Sequence, residues 1–310
     1  MSQGLLNFIE RHRQSVEDAL AESLPLSFHM NVGRLNEALH YAVFPGGKRM
    51  RPMLTIIGAC AVGSPALRAL HAACAIEFLH TSSLILDDLP GMDDASLRRG
   101  RAALHLAFGE GMAMLAALAL LNRSYALLVR AASEGGPCDA VERVMAEATR
   151  CIGADGMIGG QAADIDARAA RGGRDALTTR NLKTTALMRL TMTAGAIVAG
   201  ASQPEVAALA QFGECLGIAY QIYDDLLDEL GGSDETGKTS GQDARHLRPS
   251  FVTELGAEGA SRMAASLVEQ AKAAVVARFG DGEAARLLRD AADFIVRGAG
   301  QQRPVTDLVA

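Results

Sequence analysis

The chain has no tryptophan, and aromatic residues make up only 4% of its 310 positions. Sheet sandwiches lean on aromatic and β-branched side chains. This poverty, set against a 49% hydrophobic content rich in Ala and Leu, points instead to closely packed helices. An excess of basic charge is also missing: 30 Lys and Arg stand against 36 Asp and Glu, a net of −6, which argues against a non-specific nucleic-acid binder. The local basic clusters at 48–51 and 98–101 then read as seats for a small anion. No two of the five cysteines (Cys60, Cys74, Cys138, Cys151 and Cys215) form a C-x-x-C pair. Their odd number and wide spacing suggest reduced thiols in the cytoplasm rather than a disulfide framework. The N-terminus meets charge after a few apolar residues, unlike a signal peptide. The longest apolar runs, at 111–121 and 191–201, are too short to span a bilayer, so no membrane span is expected.

What the chain does have is helical periodicity. Leu5, Phe8 and Ile9 open an amphipathic start, and Leu35, Ala38, Leu39 and Ala42 repeat the i, i+3, i+4, i+7 pattern. Pro45, Gly46 and Gly47 stop that helix and present Lys48, Arg49 and Arg51 on the next segment. The spacing predicts helices over 52–61, 68–88, 104–132, 138–154, 175–200, 204–230, 258–278 and 283–296, with turns at the glycine clusters 135–137, 171–173 and 231–233. No strand shows sustained alternation, and no repeat or long linker is present, so one all-α domain over 1–310 is the simplest account.

Two aspartate clusters stand out from this apolar background. The first is DDLPGMDD, holding Asp87, Asp88, Asp93 and Asp94 and running into Leu97, Arg98 and Arg99; the second is DDLLD, holding Asp224, Asp225 and Asp228. On an unbroken helix Asp87 and Asp93 would face different ways, but Pro90 and Gly91 break the helix and can turn Asp93 back into a two-carboxylate pincer. Asp224 and Asp228 share a face at i and i+4, and Gln221 shares it too, whereas Asp225 points about 100° away. Acidic residues on a helix are usually a solvated surface. Here the flanks are apolar, and buried unpaired carboxylates are costly unless a cation compensates them. Hard oxygen ligands of this kind suit Mg²⁺, which keeps several waters and bridges carboxylates to substrate phosphates. The adjoining guanidinium groups match phosphate oxygens.

Other residues carry two readings each. His80, seven residues before Asp87 and so about two turns up the same face, is a core histidine in isolation and an anion ligand beside Lys48 and Arg51. Lys183 with Thr184 is either a solvated helical face or part of the site. Gln161 follows small residues that permit close approach of a ligand or a neighbouring helix. The segment 234–243, with Lys238, is a solvated connector or a lid over a diphosphate. It is no P-loop, having neither the spacing nor the strand–helix context.

The two aspartate motifs, with GGKRMRP at 46–52 upstream and Lys183 and Thr184 between them, resemble the trans-isoprenyl diphosphate synthase (polyprenyl synthetase) family over roughly residues 35–255. Within it, LILDDLPGMDDASLRRG at 84–100 is most similar to bacterial geranylgeranyl diphosphate synthases. The resemblance implies an all-α type I isoprenoid synthase fold, helices around a deep central cavity, and a homodimer. It implies three Mg²⁺ ions on Asp87, Asp93 and Asp224, with Asp88 and Asp228 in support. It assigns Lys48, Arg51, His80 and Arg99 to the diphosphate of isopentenyl diphosphate. Arg98, Lys183, Thr184, Gln221 and Lys238 go to that of the allylic partner (dimethylallyl, geranyl or farnesyl diphosphate).

The implied activity is head-to-tail condensation by ionisation of the allylic C–O bond, attack by the isopentenyl double bond, and loss of a proton to the departing diphosphate. Catalysis then rests on Asp87, Asp88, Asp93, Arg98, Lys183 and Asp224, and no protein nucleophile is required. Relatives that stop at fifteen carbons often place an aromatic ring four or five residues before the first aspartate. Ser83 and Ser82 stand there instead and leave room for a twenty-carbon chain, with the floor deeper, near Met112, Leu115 or a partner subunit. Farnesyl diphosphate synthesis is the alternative within the family. A terpene cyclase lacks the second aspartate pattern, and a non-catalytic subunit would lack one of the two motifs, whereas both are intact here.

Overall fold

The computed structural model describes residues 1–44, 46–47, 49–169, 174–230 and 250–300, and of these the side chains of 167–169, 174–181, 228–230 and 295–300 are left aside. Helices account for nearly all of it: α1 (Gln3–Ser23), α2 (Gly33–Val43), α3 (Met50–Ala61), α4 (Leu70–Asp87), α5 (Leu104–Phe108), α6 (Glu110–Ser133), α7 (Ala140–Ile152), α8 (Met157–Ala169), α9 (Arg174–Val198), α10 (Gln203–Leu230), α11 (Phe251–Phe279) and α12 (Glu283–Gly300). The buried apolar side chains form one contiguous cluster.

The helix carrying the first aspartates is the innermost. Residues from Ala72 to Leu79 are buried without interruption, so α4 has no solvent stripe and is enclosed on all sides. It packs on α3 and α6 and touches α9. Helix α9 is a second hub, against α3, α7, α8 and α10, and α10 in turn packs on α11. The grip of α3 on α9 is backbone-close. A Cβ on Gly195 would stand 2.0 Å from the Thr55 carbonyl oxygen, and Thr55 Oγ1 donates to the Thr191 carbonyl at 2.9 Å.

Several elements differ from the sequence expectation. The expected helix over 104–132 breaks at Gly109, whose φ of 89° lies outside what a helix allows, giving α5 and α6. Ahead of the helix expected from 258, a short helical turn starts at Phe251 under a reciprocal cap of Ser250 and Thr253, and a kink at Gly256 (φ 69°) joins the two as α11. Helix α8 lies where no helix is expected; its Gly160 gives the close approach to a neighbouring helix that the small residues before Gln161 permit, with a Cβ there 2.5 Å from the Lys183 nitrogen of α9. A two-residue antiparallel hairpin, β1 (Leu97–Arg98) and β2 (Arg101–Ala102), stands where no strand was expected. Its loop residues Arg99 and Gly100 have φ of 52° and 73°, the left-handed pair a tight hairpin requires.

By length and apolarity two helical stretches match a membrane span, Ala66–Asp87 and Glu110–Ser133. The first meets the test because α4 is the core helix; α6 instead keeps Met114, Leu115 and Leu118 on its surface. Gly195→Ala is expected to lower stability by about 1–3 kcal/mol through overpacking. Gly111→Ala, where a Cβ meets open space, leaves it unchanged or slightly raised. Thermal unfolding of the two variants checks the contrast.

Candidate active site

Helix α4 ends on Asp87, and the chain then folds back on itself. The Asp93 amide donates to the Asp87 carbonyl at 2.8 Å, so the turn through Pro90 and Gly91 returns Asp93 to the first aspartate. Asp87 and Asp88 are both buried. Lys183 Nζ, from α9, lies 2.5 Å from Asp87 Oδ1. Burial pushes the Asp87 carboxyl above its ordinary value; Lys183 draws it down, Asp93 raises it again, and Arg98 lowers it. Arg98 itself forks onto Asp88, with Nε 3.1 and 3.0 Å from the two carboxylate oxygens and Nη2 closing the pair. Burial works against its charge, and Asp88 more than offsets that, so its pKa stands above the usual arginine value.

On α10 the two leading aspartates of the second cluster have different surroundings. Asp224 is half-buried, while Asp225 is buried. Asp225 Oδ2 accepts the Phe251 amide at 2.9 Å, at the first turn of α11, and its Oδ1 accepts Gln221 Nε2 at 3.0 Å. Thr184 Oγ1 completes the chain to Gln221 Oε1 at 3.5 Å. Asp225 is thus a strut between α10 and α11, in line with its expected direction away from Asp224. The Gln221 amide is tied into the same strut. The side chain of Asp228, and Lys48 and Lys238 altogether, lie outside the described residues.

A basic pocket adjoins this acidic one, two turns up α4. Arg51 Nη1 is 3.4 Å from His80 Nε2. Burial holds the His80 imidazole well below its ordinary pKa, and the Arg51, Arg99, Arg98 and Lys183 charges push the same way. His80 is therefore neutral and can accept from Arg51. Burial lowers the Arg51 pKa, against which Tyr220 of α10 and Glu77 favour its charge. Arg51 Nε and Arg99 Nη1 are both buried donors with no protein acceptor. Buried guanidinium N–H groups are rarely left so, and two of them beside one neutral histidine make a seat for an anion.

Sequence reasoning did not single out Glu77 or the inward turn of Arg49. Glu77 is 2% exposed; its carboxylate takes Arg49 Nη1 at 2.6 Å and lies 3.7 Å from Arg99 Nη2. Arg49 also pairs with Glu17 at 2.9 Å and donates to the Val43 carbonyl at 2.9 Å. A lone acidic residue inside the apolar run AACAIEFLH was the available signal.

The chain-length positions separate. Ser82 is buried with Oγ on the Ala117 carbonyl of α6 at 2.9 Å, so it faces a helix rather than the site. Ser83 donates to the His80 carbonyl of its own helix at 2.8 Å and shares the face of His80 and Asp87. Leu115, expected near a deep floor, is 55% exposed on the outer side of α6, because its turn of helix faces away from α4. Gln161 donates to Met92 Sδ at 3.2 Å, joining α8 to the aspartate turn.

Among the described residues no three His, Cys, Asp or Glu side chains converge into a metal cage. The donor set nonetheless suits Mg²⁺, which takes one or two carboxylates and keeps the rest of its shell for water and phosphate. Asp87 is also a carboxylate whose charge is disfavoured by burial and by Asp93, which a divalent cation would relieve.

The neutral His80 sets a pH dependence. The unfolded chain takes up a proton there as pH falls below 6.5, and the folded protein does not. The contribution is therefore full above that pH and is lost as pH falls below it, by at most about 1.4 kcal/mol per pH unit. His80→Gln should flatten the thermal-midpoint profile between pH 5 and 7; parallel profiles would assign the dependence elsewhere.

A family model described as polyprenyl synthetase matches residues 32–278. Geranylgeranyl pyrophosphate synthase 6, mitochondrial, of Arabidopsis thaliana is 35% identical over 278 residues, spanning 86% of this chain and 83% of that protein. An FPP/GFPP synthase from Zymomonas mobilis matches with a TM-score of 0.82 at 32% identity, over 96% of this chain and 100% of that one. A polyprenyl synthase from Caulobacter crescentus, complexed with calcium and isoprenyl diphosphate, matches with a TM-score of 0.80 at 25% identity, over 94% and 96%. With its all-α isoprenoid synthase fold and paired aspartate motifs, the chain belongs to the polyprenyl synthetase family.

Proposed function

We propose that the protein is a Mg²⁺-dependent trans-prenyltransferase that condenses isopentenyl diphosphate head to tail with an allylic diphosphate, with geranylgeranyl diphosphate as its main product. One observation carries the reading: a basic pocket with two unpaired guanidinium donors adjoins an acidic pocket on the same helix. Two diphosphates of different character fit such a pair. The relatives' names and the cation and isoprenyl diphosphate in the Caulobacter crescentus structure agree with it.

Asp87 and Asp93 from one wall and Asp224 from the other are the residues that would hold the metal, three ions in the family pattern, with Asp88 and Asp228 in support. Bound there, Mg²⁺ supplies neutralisation of charge on the leaving diphosphate. The protein's own groups do the rest. Arg51, Arg99 and neutral His80 hold the isopentenyl diphosphate, fixing its double bond against the allylic carbon. Lys183 and Arg98, each now committed to a carboxylate, are the donors positioned to take the allylic diphosphate. Charge then develops on the leaving oxygens among oriented cations in a site with little water, where such contacts are strongest. The released diphosphate is the base for the final proton.

The surface row of Met114, Leu115 and Leu118 on α6 suits a second copy of the chain, giving a homodimer. All five cysteines are unpaired, which suits the cytoplasm or another reducing compartment.

Purified protein with Mg²⁺, labelled isopentenyl diphosphate and each allylic primer should give a dominant twenty-carbon alcohol after dephosphorylation. A fifteen-carbon stop would keep the chemistry and overturn the product length; no condensation would overturn the reading. Asp87→Asn should cut turnover by at least about 10² while the helical circular dichroism stays unchanged. Ser83→Tyr, on the face of His80 and Asp87, should shift the main product to fifteen carbons. An unaltered product would remove Ser83 from chain-length control.

A further inference from the structure

Resting on that reading, we infer that Glu77 is a positioning residue for isopentenyl diphosphate, a buried carboxylate that joins and aims the two segments whose arginines bind the substrate. The segments are distant in sequence. One is the start of α3, with Arg49 just before the helix and Arg51 in its first turn; the other is the hairpin, with Arg99 in its loop. Both meet Glu77, through Arg49 Nη1 at 2.6 Å and Arg99 Nη2 at 3.7 Å.

Three features point to positioning rather than simple charge balance. Arg49 and Arg99 both adopt left-handed backbone, with φ of 53° and 52°. Such conformations persist in non-glycine residues only where surroundings impose them, and they recur at binding sites. The hairpin turn accounts for the backbone of Arg99, and both arginines converge on one carboxylate, the contact that the two segments share. Next, Glu77 engages Nη2 of Arg99 and leaves Nη1 buried without an acceptor. At 3.7 Å the carboxylate draws the guanidinium towards α4 by charge and leaves Nη1 as a donor for a ligand. Finally, Glu77 lies one turn from His80 on α4, and its charge favours that of Arg51. Among the described residues Glu77 therefore meets Arg49 and Arg99 and acts by charge on Arg51.

Without this carboxylate, Arg49, Arg51 and Arg99 repel one another. Burial depresses the Arg99 pKa, the Arg49, Arg98 and Arg51 charges push the same way, and Glu77 is the opposing influence. The Arg99 guanidinium would then lose its aim, while Arg98 keeps the hairpin anchored on Asp88 and the acidic pocket stays intact.

The test separates the two substrates. In Glu77→Gln the KM for isopentenyl diphosphate should rise about tenfold or more, with the allylic KM and kcat changed by less than about threefold. Calorimetry of inorganic diphosphate binding to metal-free protein should show the same weakening and does not depend on turnover. Removing one member of a buried pair can unfold a protein, so the paired variant Glu77→Gln with Arg49→Met, which removes both charges, is measured alongside. It should show the same selective loss. Glu17→Gln, which touches only the outer side of Arg49, should lower thermal stability and leave both KM values unchanged. Equal rises in the two KM values, or an isopentenyl diphosphate KM within twofold of wild type, would overturn the inference and leave Glu77 a structural ion pair. A wild-type protein that condenses nothing would sink the prenyltransferase reading; diphosphate binding would then still decide whether Glu77 aims Arg99.

Discussion

An interior built largely from alanine and leucine leaves a buried charge no partner but another side chain, and the ion pair between Glu77 and Arg49 is where this constraint acts hardest. Both groups are almost fully buried, and either alone would be heavily destabilising. Local geometry follows from the pair. Arg49 must turn inward, so its backbone is left-handed. Its guanidinium then occupies the space over Gly46, where a Cβ would lie 1.8 Å from Cζ, so that position has to be glycine. With Arg49 turned in, Arg51 is left at the first turn of α3, beside His80. What reads in the sequence as a run of like charges is thus divided between an inward strut and a binding group.

A second constraint is the spacing of helices around α9. Glycines bring neighbouring backbones close enough for carbonyl oxygens and side-chain stems to be in contact, as at Gly195 against Thr55 and Gly160 against Lys183. The short distance between α8 and α9 fixes Lys183 at the height of the aspartate turn. The Thr184–Gln221–Asp225–Phe251 chain then sets α9, α10 and the start of α11 in one register. Helix α10 is tied at this level by the hydrogen bonds that Asp225 accepts from Phe251 and Gln221. Its neighbour Asp224 is half-buried, so two adjacent carboxylates have different surroundings.

This division explains how far the sequence could be read. Periodic apolar residues gave the long helices, and Pro90 with Gly91 gave the return of Asp93, because both signals are local. Helix α8 was hidden since its glycines weaken intrinsic propensity and are justified only by a neighbour that no local window contains. The break at Gly109 and the hairpin at Arg99 depend on positive φ angles, which a sequence pattern does not report for a single residue. Ser82 and Ser83 looked equivalent by depth along the helix, and only the position of α6 distinguishes them. The family resemblance supplied Arg51, His80 and Arg99, yet Glu77, which ties Arg99 to Arg49, was visible only as a charge in an apolar run.

The balance of charge also separates the two pockets by function. In the acidic pocket each cation has its own carboxylate, Lys183 on Asp87 and Arg98 on Asp88, so neither is a ready anion site until those carboxylates are compensated in another way. In the basic pocket Glu77 is shared between two arginines, and buried donors remain on Arg51 and Arg99. An anion therefore meets buried donors in the basic pocket, whereas the cations of the acidic pocket are already paired. Of two diphosphate substrates, the one that leaves intact suits the first. The one whose C–O bond must break suits the second, where compensating charge arrives together with the substrate. Burial and ion pairing thus accord with the roles that the family resemblance implies.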